Sequence, residues 1–278
     1  MIKFEHSIFA LPFAYTGLLL AEKGFPSLRL FFLITIAMVS FRTMAMGLNR
    51  LIDHSIDARN PRTKNRALPA GKLRRSYVIT WTVASFVLFE LVTYKINPLC
   101  FKLSPIPFFL ALLYPFTKRF TWMSHWILGM VLGIAPYGAW LASRAVFSWV
   151  PGFISLGVIF WVAGFDIIYA LQDEKFDRCS KLQSFPAKFG PKASLITTRA
   201  LHFLTIWMWM FAGWSGNLGV VYFLGIACAA IFLIREHFLI ELHGLEKMDE
   251  AFFWMNAVIS CSMLAAVLLE IGIRSITA

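Results

Sequence analysis

Charged residues are scarce in this chain of 278 residues: they account for 15% of it, whereas hydrophobic residues account for 59%. A soluble globular domain carries roughly 25% charged and about 45–50% apolar residues. The apolar excess falls in blocks of about 16–25 residues, the length that a helix needs to cross about 30 Å of hydrocarbon. The composition therefore excludes an ordinary soluble domain and indicates a membrane protein.

Neither a β-barrel pattern nor a cysteine motif occurs in the sequence. Alternating ten-residue segments, which a membrane barrel would require, are missing. Because backbone polar groups in lipid must be satisfied within each segment, we expect the apolar blocks to be helices. The cysteines, which show no CxxC or Cys/His spacing and are interpreted as small apolar residues, are Cys100, Cys179, Cys228 and Cys261.

We predict an all-α integral membrane protein with nine transmembrane helices, at 7–22, 28–52, 77–95, 104–117, 122–142, 150–172, 193–214, 218–234 and 252–273. The first apolar run lacks a convincing cleavage site, so we expect it to be a retained membrane helix. Most Lys and Arg residues between the spans fall on the side of the N-terminus, which the positive-inside rule places in the cytoplasm. The net charge of +11 fits this topology and contact with anionic lipid, so we expect the bilayer, and no nucleic acid, as a partner.

The second and sixth predicted spans run in the same direction and both end in acidic residues. Asp53 and Asp173 occupy matching places four helices apart. An even number of helices between equivalent points produces a parallel repeat, and substrate sites in such folds lie between the two halves. We therefore predict a single domain, 1–278, with two four-helix repeats and a ninth helix around a central cavity.

Each acidic series follows the spacing of one helix face. The first series has a spacing of four, which stacks its members about 6 Å apart, and consists of Asn49, Asp53 and Asp57. The second series has offsets of three, four and four, and consists of Asp166, Tyr169, Asp173 and Asp177. One acid at a span boundary is usually only the polar end of that span. Two matched series on equivalent helices favour a functional site.

Such carboxylates at a helix C-terminus repel one another and face the negative end of the helix dipole, so they need a cation. Mg²⁺ prefers carboxylate and water oxygens, and it commonly bridges a protein carboxylate to a phosphate. The basic residues Arg62, Arg66 and Lys118 are available to neutralise outer phosphate oxygens. The two clusters therefore predict a site for a metal-complexed diphosphate.

The first series continues as Asn49-x3-Asp53-x3-Asp57-x4-Arg62-Thr63-x2-Arg66, the second reads Asp166-x2-Tyr169-x3-Asp173-x3-Asp177, and the loop Tyr114–Arg119 lies between them. Together they resemble the UbiA superfamily of intramembrane aromatic prenyltransferases over essentially the whole chain. Two positions depart from the family pattern: Arg50 stands where many members have Asp, and Ala67 where many have Pro. Neither departure removes an expected metal ligand, although Arg50 lowers the local negative charge.

The resemblance implies a role for each site residue. The Mg²⁺ ligands would be Asp53, Asp57, Asp173 and Asp177. Contacts to the isoprenyl diphosphate would come from Asn49, Arg62, Arg66 and Lys118. Asp166 and Tyr169 would lie nearer the forming bond, and Tyr114 would stabilise an allylic carbocation by cation–π attraction.

The segments 2–13 and 58–63 resemble the bacterial 4-hydroxybenzoate polyprenyltransferase group. That resemblance implies Mg²⁺-dependent transfer of a polyprenyl group from polyprenyl diphosphate to 4-hydroxybenzoate or a related aromatic hydroxy-acid. The reaction would serve ubiquinone or menaquinone synthesis at the cytoplasmic side of the bacterial inner membrane. One alternative is the acceptor of the futalosine route to menaquinone, and a more distant one is an ion-coupled transporter. Transporter acids, however, usually lie near the membrane midplane on broken helices.

Arg42 lies seven residues before Asn49, hence about two turns deeper on roughly the same face. A buried arginine in a span needs an anionic partner. Two interpretations stay open: an internal salt bridge, for example to Asp166, or contact with the carboxylate of the aromatic acceptor. His125, at the start of the fifth span, is interpreted as an interface residue rather than a base. Prenyl length and the identity of the acceptor are open as well.

Overall fold

The computed structural model describes the backbone of residues 7–244 and 248–277, and the side chains of 10–242, 244 and 254–276, so residues 2–6 of the opening segment lie outside it. Apart from one short 3₁₀ turn, the regular structure of the described residues is α-helical. The helices are α1 (Ser7–Glu22), α2 (Leu28–Ile52), α3 (His54–Arg59), α4 (Arg75–Ile96), α5 (Pro98–Leu103), α6 (Pro105–Thr117), α7 (Ser124–Arg144), α8 (Trp149–Ala170), α9 (Glu174–Cys179), α10 (Phe185–Ser215), α11 (Val220–His243) and α12 (Met248–Thr277).

Eight segments of the described chain are long and apolar enough to cross a membrane. α1 is apolar but shorter, so the count of nine spans stays a prediction. The fourth predicted span is longer in the structure, because α5 and α6 together cover Pro98–Thr117. Pro105 begins α6, where its missing N–H costs no helical hydrogen bond, so a new helix starts there and the apolar path is longer than the sequence suggested.

Small residues let the long helices approach closely. Gly17 of α1 lies so near α7 that an added Cβ would be 2.1 Å from the carbonyl oxygen of Pro136. Gly157 of α8 makes room for the indole of Trp209 on α10 in the same way. Because lipid offers no hydrophobic driving force between helices, such close packing is what holds a membrane bundle together. The pairs α2–α4 and α8–α10, which the predicted repeat makes equivalent, both pack along their length.

The dense core and the cavity lie in different parts of the bundle. The largest buried cluster gathers around Trp161 in the middle of α8, with Phe13, Trp209 and Tyr222 packed about it. A cavity of about 1100 Å³ lies between α2, α4 and α5–α8, and its walls are mostly apolar. It reaches from the ends of α2 and α8 towards Ile96 at the other end of the bundle. The expected central cavity is therefore confirmed.

We predict that Gly17→Ala lowers the thermal stability of the protein in detergent, because the new methyl group overlaps the Pro136 carbonyl. Overpacking of this kind typically costs about 1–3 kcal/mol. Gly138→Ala on α7 is the matched control, since a Cβ there meets no atom within 4 Å. A Gly17→Ala protein that unfolds at the temperature of the control would contradict the observed α1–α7 packing.

Candidate active site

Both acidic series sit where a long helix breaks. α2 ends before Asp53, whose φ and ψ are −89° and 4°, and α3 begins at the next residue. α8 ends at Ala170, a 3₁₀ turn follows, and Asp173 has the similar values of −100° and 0° before α9 begins. Each series is therefore shared between two helices, which differs from the continuous helix face expected from the spacing. The matching breaks place two pairs of carboxylates at one end of the bundle, called the acidic end below.

Asp53 is almost fully buried and is held by residues from outside its own helix. The Lys118 ammonium donates to its Oδ2 at 2.6 Å, and Arg119 Nη2 lies 3.5 Å from its Oδ1. Asn49 Nδ2 also donates to Oδ2, at 3.3 Å, so these two members of the first series do share a face. Burial raises the pKa of Asp53 above its ordinary value, while the charge of Lys118 acts in the opposite direction. The loop after α6 thus supplies the countercharge of Asp53.

Asp57 on α3 is 5% exposed and pairs with two arginines. Arg66 Nη1 donates to both carboxylate oxygens, at 2.9 and 3.0 Å, and Arg50 Nη1 lies 3.5 Å from Oδ2. The buried Thr63 hydroxyl donates to the Asp57 carbonyl at 2.9 Å. These contacts fold the segment after α3 back over the end of α2. Arg50, the departure from the family pattern, therefore acts directly on one of the predicted metal ligands.

Asp173 connects the two halves of the chain. Arg62 donates to it through Nε at 2.9 Å and through Nη2, and Asn60 Nδ2 donates to the same carboxylate at 2.9 Å. Arg62 Nη1 also donates to the hydroxyl of Tyr169 at 2.8 Å. Residues more than one hundred positions apart in sequence thus meet at the acidic end.

Asp177 lies on α9 and lines the cavity together with Asp173. Its carbonyl accepts the backbone N–H of Leu182 at 2.9 Å, and the next N–H, of Gln183, donates to the Lys118 carbonyl at 2.6 Å. The loop that carries Lys118 is therefore attached to both acidic series.

Deeper in the cavity, Asp166 pairs with a histidine that the sequence interpretation had placed at an interface. His125 is 3% exposed, and its Nδ1 lies 2.6 Å from Asp166 Oδ2. Tyr114 of α6 lines the same part of the cavity. The assignment of His125 as an interface residue is wrong, because its side chain is buried in the first turn of α7 and contacts Asp166 of α8.

Arg42 also lines the cavity, about two turns beyond Asn49. It forms no salt bridge with Asp166, whose carboxylate pairs with His125, so that proposed pair is wrong. Its Nε is buried and has no hydrogen-bond partner among the described residues. A buried guanidinium with an unsatisfied donor in a cavity is suited to an anionic ligand.

The donor set at the acidic end fits a hard divalent cation. It consists of carboxylates and the two carboxamides of Asn49 and Asn60, whose oxygens are ligands that Mg²⁺ accepts. Among the described residues, no three His, Cys, Asp or Glu side chains converge into a complete metal site. A metal would therefore need further oxygen ligands, and the surrounding guanidinium and ammonium groups suit a phosphate.

Three residues that the sequence interpretation left out contribute to the site: Asn60, Arg119 and His125. Asn60 falls three residues after Asp57, which continues the helical spacing of the first series and was a usable signal. Arg119 and His125 reach the site only through the path of the loop between α6 and α7, which no local pattern reveals.

An all-helical membrane bundle with two acidic helix ends at the mouth of an apolar cavity has the architecture of an intramembrane prenyltransferase. The chain belongs to the UbiA prenyltransferase family, whose sequence model matches residues 10–258. Membership of this enzyme family decides against the transporter alternative. The chain is thus an integral membrane enzyme.

Individual relatives agree in sequence and in fold. The 4-hydroxybenzoate octaprenyltransferase of Francisella tularensis subsp. novicida (strain U112) is 29% identical over 251 residues, which cover 88% of this chain and 87% of the relative. A UbiA homolog from Aeropyrum pernix K1, solved without ligand, has a TM-score of 0.87 at 30% identity and covers 97% and 99% of the two chains. A UbiA homolog from Archaeoglobus fulgidus bound to GPP and Mg²⁺ has a TM-score of 0.75 at 18% identity, covers 96% and 95%, and shares the fold.

We predict that Arg62 and Asp173 are energetically coupled. In a double-mutant cycle of Arg62→Ala and Asp173→Ala, measured by unfolding in detergent with EDTA, we expect a coupling of about 0.5–3 kcal/mol, because the two residues are in direct contact and their side chains are only 28% and 17% exposed. The more exposed Arg178–Glu174 pair is the matched control, and exposed pairs of that kind couple by about 0.3–0.5 kcal/mol. Additive effects of the two single variants would show that this ion pair does not hold the two halves together.

Proposed function

We propose that the protein transfers a polyprenyl group from polyprenyl diphosphate to an aromatic hydroxy-acid such as 4-hydroxybenzoate, with Mg²⁺ as its cofactor, in quinone biosynthesis. The observation that carries this proposal is that Asp53, Asp57, Asp173 and Asp177 all line one end of the same largely apolar cavity, with basic side chains beside each series. The names of the relatives support it. We place the acidic end at the cytoplasmic face of a bacterial inner membrane, as the positive-inside rule favours.

The diphosphate would bind at the acidic end. The four aspartates would hold Mg²⁺, which when bound stabilises the negative charge that develops on the leaving diphosphate. The relative from Archaeoglobus fulgidus bound to GPP and Mg²⁺ supports this cofactor. Asn49, Arg62, Arg66 and Lys118 would contact the phosphate oxygens.

The basic residues already neutralise the aspartates, so binding of the charged substrate requires an exchange of partners. Arg62 would turn from Asp173, Arg66 from Asp57, and Lys118 from Asp53, each towards a phosphate oxygen. Because a phosphate and a carboxylate accept the same forked donors, the arginines lose little hydrogen bonding in this exchange. Tyr169, held by Arg62, would move with it.

Bond formation would take place one to two helical turns deeper. The allylic C–O bond breaks, and its electron pair leaves with the diphosphate. Tyr114 would face the resulting allylic cation, an attraction worth roughly 1–2 kcal/mol in a site without water. A ring carbon of the acceptor then forms the new C–C bond, and Asp166 would take the ring proton as the C–H electrons restore aromaticity.

Arg42 would position the acceptor. Arg42 lines the cavity and its Nε has no partner among the described residues, so its guanidinium suits the carboxylate of an aromatic acid, which would place the ring between Arg42 and the diphosphate. The apolar wall beyond would take the prenyl tail and keep water from the cation.

We predict that Asp53→Asn and Asp173→Asn each lower turnover by more than about 100-fold, because loss of a metal ligand exceeds the 10–100-fold cost of losing a supporting residue. The assay is release of pyrophosphate, with product mass measured, from membranes given polyprenyl diphosphate, an aromatic acid and Mg²⁺. Glu174→Gln, an acid beside Asp173 that pairs with Arg178, is the control and should stay active. Full activity of either asparagine variant would refute the metal assignment.

We predict that Arg42→Met raises the KM for 4-hydroxybenzoate by about 10- to 100-fold, the cost of losing a charge-assisted contact of roughly 1.5–3 kcal/mol. The KM for the prenyl diphosphate should stay unchanged, since the tail and the phosphates bind elsewhere. 4-Hydroxybenzamide, which lacks the carboxylate, should be used equally by both proteins. An unchanged KM for the acid would exclude the carboxylate role, and a panel of aromatic acids would show whether a menaquinone precursor is preferred.

A further inference from the structure

His125 is a buried side chain with both ring nitrogens engaged. Nδ1 lies 2.6 Å from Asp166 Oδ2, and Nε2 accepts the backbone N–H of Phe185 at 3.3 Å. Both residues line the cavity, but the side chain of His125 is 4% exposed and that of Asp166 is 18% exposed, so Asp166 is the member of the pair that is more accessible to a ligand.

These two contacts fix the tautomer of the imidazole. A backbone N–H can only donate, so Nε2 must be the unprotonated acceptor nitrogen. The proton of the neutral ring is therefore on Nδ1, where it is donated to Asp166. A histidine that donates to a carboxylate in this way holds the orientation of the carboxylate as well as its own.

We propose that His125 is a positioning residue for Asp166. By occupying Oδ2 it leaves Oδ1 for the cavity, so that this oxygen faces the acceptor ring and takes the proton released when the prenyl group is added. The inference rests on the proposed function. It adds a residue that touches neither substrate and acts through the aspartate.

The far side of His125 is anchored to the acidic end. Phe185 is the first residue of α10, and its N–H is one that no helical carbonyl can accept. The segment just before Phe185 makes two backbone hydrogen bonds, from Leu182 to Asp177 and from Gln183 to Lys118. His125 therefore connects the aspartate at the forming bond with the segment that borders the diphosphate site.

Gly190 separates this anchor from the rest of α10. Its φ of 80° and ψ of 172° interrupt the helix after its first turn, so the regular helical hydrogen bonding of the long part of α10 does not extend to Phe185. A change at the acidic end can thus reach Asp166 through one hydrogen bond to His125.

The test compares His125→Leu with His125→Gln in the full-length protein in membranes, with 4-hydroxybenzoate and its ring-deuterated form as acceptors. We expect His125→Leu to lower kcat at least about 10-fold while the KM for the prenyl diphosphate stays within a factor of about two. The deuterium isotope effect on kcat should be near unity in the wild type and clearly above unity in His125→Leu, because proton removal becomes slow. His125→Gln, whose amide both donates and accepts, should restore kcat and an isotope effect near unity.

His202→Leu is the matched control. His202 is equally buried and pairs with His237 at 3.0 Å, away from the cavity. His202→Leu therefore shows the effect of losing a buried histidine that does not contact Asp166. Its isotope effect should stay near unity. If His125→Leu does not fold, His125→Met replaces it as the variant without a ring donor.

The outcomes separate the inference from the proposed function. A wild-type protein that converts none of the aromatic acids tested overturns the proposed function and this inference with it. A wild-type protein that turns over, together with a His125→Leu or His125→Met variant of unchanged kcat and isotope effect, overturns only the role of His125. The same holds if kcat falls equally in His125→Leu and His202→Leu without a change in isotope effect.

Discussion

A carboxylate at the edge of the hydrocarbon layer must be paired or hydrogen-bonded, because a lone buried charge costs several kcal/mol even after the protein relaxes. This constraint shapes the acidic end of the bundle. Asp53 pairs with Lys118, Asp57 with Arg66, and Asp173 with Arg62. In each case the partner comes from a loop rather than from the helix that carries the acid. The aspartates at the helix ends therefore hold these loops in place.

The same pairs suggest how a rigid membrane bundle would bind the proposed diphosphate substrate. Helices that pack through glycines, as α1 and α7 do at Gly17, have little freedom to move. Arg62, Arg66 and Lys118 lie outside the long helices, and each contacts its aspartate through side-chain hydrogen bonds. A phosphate can accept those donors in place of a carboxylate, so the site can load without repacking the helices.

Residues that a helical period connects are predictable from the sequence, whereas residues whose position depends on the path of a loop are not. Asn49 and Asp53 lie on one face as their spacing of four requires. His125 and Arg119 reach the site because the chain turns sharply after α6, a path without a periodic signal. Arg42 lies in the interior as its place in the second span predicts, but Asp166 is engaged by a side chain from α7, a helix whose position relative to α2 the sequence does not reveal.

Composition and period by themselves determined that this chain is a helical membrane protein with two matched acidic series, because burial in lipid and 3.6 residues per turn act on local sequence. The motifs added the family. Only the tertiary structure decided which base neutralises which acid, since those partners lie up to 111 residues apart. It alone also decided that Asp166 is held by His125, because a contact between two helices depends on their packing and not on either sequence.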